Sequence, residues 1–191
     1  MKKSFWRYLK NIKNKLIFGH CGRNVYIRPG GQIVRPRLIS LGDNVRIGKN
    51  TDVYVHPKCR DSKEIILKIG NNVHIGNYNI IAARSSVVLE ENVLLGPGVI
   101  IVDHSHQYEN VEAPIKLQEV SEGGPVLIER DCWIGANVFV FPNVTIGRHA
   151  VIGANSVVKQ DIPPYSVAVG APAKVVKRYD FGRREWVKLN E

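Results

Sequence analysis

Residues 128–158 read IERDCWIGANVFVFPNVTIGRHAVIGANSVV, and an aliphatic residue returns at every sixth place: Ile128, Ile134, Val140, Ile146, Ile152 and Val158. Four places after these positions stand small or medium residues, among them Cys132, Val138, Val144, Ala150 and Ser156. Neither the 3.6-residue period of a helix nor the alternation of an isolated strand gives a beat of six. A fixed short period marks a repeat architecture, in which each unit buries its apolar side against the next. Moving outward, the beat recurs in phase at Leu89, Leu95 and Ile101, at Ile69, Ile75 and Ile81, and at Leu41, Ile47 and Val53. It reaches back to about Cys21 and forward to Pro163.

Three hexads make one turn of a triangular prism, with three short strands and three corners. Aliphatic residues at the sixth places point to the axis, and successive turns pair as parallel strands about 4.8 Å apart. The expected fold is all-β, a parallel β-helix of about six to seven triangular coils. Turns begin near Cys21, Leu41, Ile69, Leu89, Ile128 and Ile146, with gaps of 20, 28, 20, 39 and 18 residues. Whatever exceeds 18 leaves the prism at a corner, and the expected insertions are Ile39–Ser40, Cys59–Lys68, Val87–Val88 and the 21-residue Gln107–Leu127. Asn24, Asn44, Asn50, Asn72, Asn92, Asn137, Asn143 and Asn155 all lie three places after an aliphatic position, suiting corners that demand positive φ. Recurrent Gly and Asn exclude helix throughout the segment. Arg37 breaks the pattern at an inward place, so the first turn is expected to be irregular.

A chain of 191 residues, 44% hydrophobic and 23% charged, fits one globular domain, and no apolar run approaches a membrane span. Residues 1–20 are read as a basic amphipathic helix, with Phe5, Leu9, Ile12 and Leu16 on one face of residues 4–18. It would cap the open end of the prism, and with Trp6 and its lysines it could also touch an anionic membrane surface. Lys10, Lys13 and Lys15 interrupt the apolar residues, unlike a secretory leader, so a cytoplasmic or membrane-peripheral protein is expected. The net charge of +10 has one source: ten cations precede Asp43, the first acidic residue. No zinc-finger or RRM signature accompanies them, so nucleic acid is not the expected partner. The three cysteines, Cys21, Cys59 and Cys132, form neither a CxxC pair nor an even set, and Cys132 reads as a buried thiol.

The runs IGNNVHIGNYNI, LEENVLLGPGVI and CWIGANVFVFPNVTIGRHAVIGANSVVKQDIPPYSVAVGAPAKVVKR resemble the hexapeptide-repeat acyltransferases, in particular the maltose, galactoside and polysaccharide O-acetyltransferase branch. The likeness covers residues 21–178, leaving 179–191 as a C-terminal tail. It implies a left-handed β-helix, a homotrimer with active sites between neighbouring subunits, and acetyl-CoA as donor. The implied reaction is direct transfer of acetyl to a sugar hydroxyl in surface-polysaccharide or lipopolysaccharide synthesis. Transfer to the amine of an amino sugar, nucleotide sugar or antibiotic would share the same motifs, and a β-helix that only binds a partner would need no base.

The segment GPGVIIVDHSHQ, residues 96–107, ends the fourth turn just before the longest insertion. The family's essential histidine falls on His106, and a neutral imidazole has a suitable pKa to take a hydroxyl proton. Asp103 and His104 are read as supporting the base or touching the substrate, and Asn79, not separable from Asn77, as contacting the acceptor or bonding a corner. A set of His74, His104 and His106 would be the zinc alternative, as in hexapeptide carbonic anhydrases, but its spacing does not match and no metal is expected. For the donor, the likeness places Trp133, Ala136 and Ala154 along the pantetheine groove and Lys159, Lys174 and Lys177 near the phosphates. Where relatives read Thr-Lys-Asp this chain has Lys159-Gln160-Asp161. The long insertion is expected to cover the acceptor, with Tyr108, Glu109 and Glu119 as candidate contacts.

Overall fold

The six-residue beat becomes three parallel sheets in the computed structural model, which describes residues 16–57, 63–121 and 123–189. The first sheet stacks His20–Cys21, Ile39–Leu41, Leu67–Ile69, Val87–Leu89, Val126–Ile128 and Val144–Ile146. The second runs Tyr26–Ile27, Arg46–Ile47, His74–Ile75, Leu94–Leu95, Trp133–Ile134, Val151–Ile152 and Ser166–Val169. The third holds Ile33–Val34, Asp52–Val55, Ile80–Ala83, Ile100–Val102, Phe139–Val140 and Val157–Val158. Consecutive strands thus lie on different faces, and each pairs with the strand one turn away. The result is a parallel β-helix of triangular section.

Register follows the beat. Leu41, Ile69, Leu89, Ile128 and Ile146 stand in one column, and Ile47, Ile75, Leu95, Ile134 and Ile152 in the next. Every one of these side chains is 2% exposed or less. Burying each contributes about 1.5–3 kcal/mol. The four-after residues Val73, Val93, Val99, Cys132, Val138, Val144, Ala150 and Ser156 are buried too, and fill the space beneath the corners.

The corner asparagines behave as the sequence suggests. All eight have φ between 53 and 59°. Between the first and second sheets they also form an amide ladder: Asn24 Nδ2 donates to Asn44 Oδ1, Asn44 to Asn72, Asn72 to Asn92, and Asn92 to Asp131 Oδ1, at 2.9–3.1 Å. A left-handed residue with a short amide satisfies both the turn and its neighbours.

The insertions all leave at one corner, between the third and first sheets, but earlier than their expected positions. Ile39–Leu41, Leu67–Ile69, Val87–Leu89 and Val126–Ile128 are first-sheet strands. The excess residues therefore precede them, at 35–38, 56–66, 84–86 and 103–125. In the first of these the irregularity expected at Arg37 appears as a 3-10 turn over Pro36–Leu38 after Arg35 at φ 55°. That turn swings Arg37 outward and seats Leu38 in the core.

The helix expected over residues 4–18 falls mainly on residues 1–15, outside the described ones; Phe18 joins the core. Cys59 is also outside them. The expected tail at 179–191 is not separate from the domain: Lys174–Asp180 crosses that boundary, pairs antiparallel with Ser166–Val169 and then with Glu185–Lys188. Rings of His149, Tyr165, Phe181, Tyr179 and Trp186, each 4.9–6.5 Å from the next, fasten this hairpin to the prism.

Candidate active site

The third-sheet strand Ile100–Val102 ends at Asp103, whose side chain takes the inward direction and is fully buried. A carboxylate cannot stay there unpaired. It receives the backbone N–H groups of Arg84 (2.8 Å), Ser85 (2.7 Å) and Ser86 (2.9 Å), and the Ser85 hydroxyl at 3.2 Å. His104 Nδ1 lies 2.8 Å from its Oδ1. Burial pushes the Asp103 pKa up, but the bonds from His104 and from the N–H groups of Ser85, Arg84 and Ser86 outweigh it, and the net shift is downward. Asp103 is therefore an anion that accepts and does not donate.

Beyond it the chain turns back on itself. His106 bridges Val120 in antiparallel fashion, Ser105 N–H donates to Ser121 Oγ at 2.9 Å, and Gln107 N–H to Glu119 O at 2.9 Å. Gly124 N–H closes onto Asp103 O at 3.0 Å, with Gly123 at φ 62° where a Cβ would strike that same carbonyl. The base of the excursion is thus a short ribbon, and His106 projects from it exposed. Toward the tip Tyr108, Val111, Ile115 and Leu117 are exposed apolar side chains. Glu109 accepts the Tyr108 N–H at 2.9 Å, which lowers its pKa.

Asn79 needs correcting. It is fully buried inside the prism, its Oδ1 taking the Val99 N–H at 2.6 Å and its own N–H reaching Thr51 Oγ1 at 3.3 Å. It bonds the interior and cannot touch an acceptor; the neighbouring Asn77 accepts the Lys49 N–H at 2.8 Å. Asp103 is likewise too deep to contact substrate directly; its bonded partners His104, Arg84, Ser85 and Ser86 are half-buried.

The donor-side residues lie elsewhere. Trp133 stands outward on the second sheet between Leu94 and Val151, 53% exposed. Ala136 and Ala154 sit one turn apart at the corner between the second and third sheets, bonded through Asn155 N–H to Ala136 O at 2.8 Å. Lys159 holds its Nζ 5.0 Å above the Phe141 ring, and Lys174 and Lys177 lie on the hairpin opposite Val169 and Val167. Within one protomer Ala136 and Ala154 lie where the third-sheet strands begin and the histidines where they end. Lys159 lies just past that same end two turns away, and Trp133, Lys174 and Lys177 are on the second sheet. His74 is on the second sheet between Arg46 and Leu94, apart from His104 and His106. Among the described residues no group of three His, Cys, Asp or Glu is placed to hold a metal ion. Cys132 is buried, its thiol pushed up to about 12 chiefly by burial, which leaves it unreactive.

The cradle of Arg84, Ser85 and Ser86 was not among the sequence candidates. Its signal was the two-residue excess between Ile69 and Leu89, read as Val87–Val88 instead.

Comparison with known proteins agrees with this fold. Residues 125–160 match the family model described as bacterial transferase hexapeptide (six repeats). Galactoside O-acetyltransferase of Escherichia coli K12 is 35% identical over 164 residues, covering 85% of this chain and 65% of its own. WbbJ of the same organism, named as a candidate lipopolysaccharide biosynthesis O-acetyl transferase, is 35% identical over 118 residues, covering 59% and 60%. This chain thus spans less than two thirds of either relative. A crystal structure of a point mutant of AntD, an N-acyltransferase from Bacillus cereus in complex with dTDP and coenzyme A, aligns with a TM-score of 0.75 at 25% identity, over 88% of each chain. Residues 125–160 thus match the bacterial transferase hexapeptide model, and over most of its length the chain is similar in sequence and in fold to named acetyltransferases and acyltransferases.

Proposed function

We propose that the protein is an acetyl-CoA-dependent O-acetyltransferase acting on a sugar hydroxyl, in cytoplasmic synthesis of surface polysaccharide or lipopolysaccharide. The observation that carries this reading is the segment 104–106. It presents two imidazoles at the edge of the prism, at the base of the longest excursion, on a scaffold similar to that of named acetyltransferases. The general base is an imidazole of that segment, at His106 on the sequence likeness. Backbone N–H groups along the donor groove would hold the oxyanion formed as the hydroxyl attacks the thioester.

A left-handed homotrimer suits the separation of the two half-sites. Trp133, Ala136 and Ala154 of one protomer can face the histidines of the next, with Lys159, Lys174 and Lys177 toward the coenzyme phosphates. The exposed Val111, Ile115 and Leu117 of the excursion would be covered in the same contact. Contact with an anionic membrane surface is assigned to the basic residues 1–20. Among the described residues no helix is long and apolar enough to cross a membrane.

A screen of thiol release from acetyl-CoA against sugars and nucleotide sugars tests the reading. Release with a hydroxyl acceptor, abolished in His106→Ala and His104→Ala together, is the expected result. Release with no acceptor in the panel would sink it. The likeness to AntD favours one other reading, transfer to the amine of a sugar nucleotide. Amino sugars in the panel decide between them.

A further inference from the structure

Arginines normally reach into water, and among the described residues every arginine but one is exposed. Arg23, Arg130 and Arg183 also meet the carboxylates of Asp43, Glu91 and Asp180, and Arg148 lies over the Tyr165 ring. The exception is Arg84. It is half-buried, its guanidinium enters no hydrogen bond or ion pair, and its Nε is closed off from solvent without an acceptor. Its own protomer encloses that nitrogen, so no neighbouring subunit can supply the missing bond. A guanidinium keeps its charge at any working pH, and a partly desolvated one without a counter-charge is costly. What remains to it are the two Nη groups. End-on they form a planar fork whose N–H groups match the oxygens of a carboxylate or phosphate.

The place of this residue is specific. Val55 pairs with Ala83 and Ala82 with Val102, so His56, Arg84 and His104 stand level on three successive turns, just past the strand ends. Ala83 and Asp103 point inward and are buried, so Arg84 and His104 both leave the third sheet outward. His56, a turn below, lies against Tyr54 with 6.1 Å between the rings. The outward column at the proposed acceptor corner thus carries imidazole, guanidinium and imidazole, and none of the three is acidic. Asp103 is no counter-ion for the fork: its carboxylate is turned inward, onto the N–H groups of Arg84, Ser85 and Ser86 and the His104 ring.

We propose that Arg84 binds an anionic group of the acceptor, so that the sugar acetylated by this protein carries a carboxylate or a phosphate. This deepens the acyl-transfer reading and rests on it. Successive turns are about 4.8 Å apart, so one sugar unit spans from the Arg84 fork to the histidines a turn above. Its oxyanion accepts from Nη1 and Nη2 while its hydroxyl meets the base. A uronate and a sugar phosphate share that chemistry, since both offer paired oxygens to a fork. A neutral sugar leaves the half-buried charge without a partner, and is selected against for that reason. No bond is made or broken at Arg84, which acts on binding and not on the transfer step.

The test takes the full chain through uronates, sugar 1-phosphates and the neutral sugars from which they derive. Thiol release gives kcat and KM, and titration followed by NMR gives affinity without turnover. Wild type should favour an acidic acceptor over its neutral parent by at least about tenfold in kcat/KM. Preference for either anion supports the proposal, and the two arms name which one. Arg84→Gln removes the charge and keeps N–H donors. With the acidic acceptor its KM should rise about 10- to 100-fold, while kcat and the KM for acetyl-CoA stay within about threefold. With the neutral parent it should match wild type. Arg84→Lys keeps the charge without the fork and should fall between the two. A wild type that treats acidic and neutral sugars alike overturns the proposal, as does an Arg84→Gln variant with unchanged KM. If Arg84→Gln instead lowers the assembly state on a sizing column, with KM unchanged, the fork meets a carboxylate of a neighbouring protomer and the proposal falls. If no sugar releases thiol, the acyl-transfer reading fails and the titrations still judge Arg84. Tighter binding of an anion to wild type than to Arg84→Gln then supports the assignment, and equal binding overturns it. Should Arg84→Gln not fold, Arg84→Lys and the wild-type selectivity decide alone.

Discussion

The corner between the first and second sheets repeats one solution turn after turn, whereas the corner between the third and first sheets differs nearly every time. At the first, Asn24, Asn44, Asn72, Asn92, Asp131, His149 and Tyr165 succeed one another, all at positive φ. At the second, the chain leaves for two residues, for ten, for two again and for 21, and each time re-enters in register. Loop-closure cost explains the tolerance: doubling a loop adds only about 0.6 kcal/mol. A corner bonded to its neighbours above and below has no such freedom. The two histidines, Asp103 and the N–H groups around it all sit at the varied corner. In this molecule the repeat supplies the regular frame, and the proposed acceptor-side residues sit where the chain departs from it.

Stability measurements can break that division. Ile134→Ala removes a fully buried side chain from the axis and should cost about 2–5 kcal/mol in denaturant unfolding. The same change at Ile115, 56% exposed on the excursion of a single protomer, should stay within about 0.5 kcal/mol when unfolding is followed from the dissociated protomer. Equal losses would mean that the excursion is part of the core. Asn79→Ala comes next, at about 1–3 kcal/mol, because it orphans the buried Val99 N–H. It should leave the acceptor KM unchanged; a selective rise in KM would restore the acceptor contact read from sequence. At the repeated corner, Asn72→Ala should cost about 1–2 kcal/mol, as alanine resists φ 57° and two ladder bonds vanish. Asn72→Gly should recover most of the conformational part, leaving only the ladder's share.

The prism was legible because one physical demand, an apolar residue on the axis at every third of a turn, is written into single positions six apart. The asparagine corners were legible for the same reason, since positive φ narrows the choice of residue. Insertions were located only to within a few residues. Ile39 and Val87 look like surplus in a count from one aliphatic residue to the next, yet both pair in strands, and the surplus falls on Arg35–Leu38 and Arg84–Ser86. Asp103 was legible as chemistry but not as a buried anion, because its partners are backbone N–H groups from the turn beneath. Backbone donors carry no residue signature. Asn79 misled because an inward polar residue reads alike whether it bonds the core or a ligand.

The two corners also differ in how they hold a carboxylate, and acid titration separates them. Asp43, at the repeated corner, has its pKa lowered first by the side-chain bond from Arg23, at 2.7 Å, and then by the Arg23 N–H. That pair is exposed to solvent, so salt near 1 M, with a Debye length of about 3 Å, should erase most of its effect. Asp103 is lowered despite burial, by bonds that water does not reach. Because its folded pKa lies below its unfolded one, its contribution is full above about pH 4 and is lost as the pH falls through the lower, folded value. The loss cannot be steeper than about 1.4 kcal/mol per pH unit for one proton. Unfolding followed from neutral pH down into that acid window, in low and high salt, should therefore show a salt-insensitive acid limb that Asp103→Asn removes and Asp43→Asn leaves in place. An acid limb that disappears with salt would put Asp103 in contact with water and make the two corners electrostatically alike.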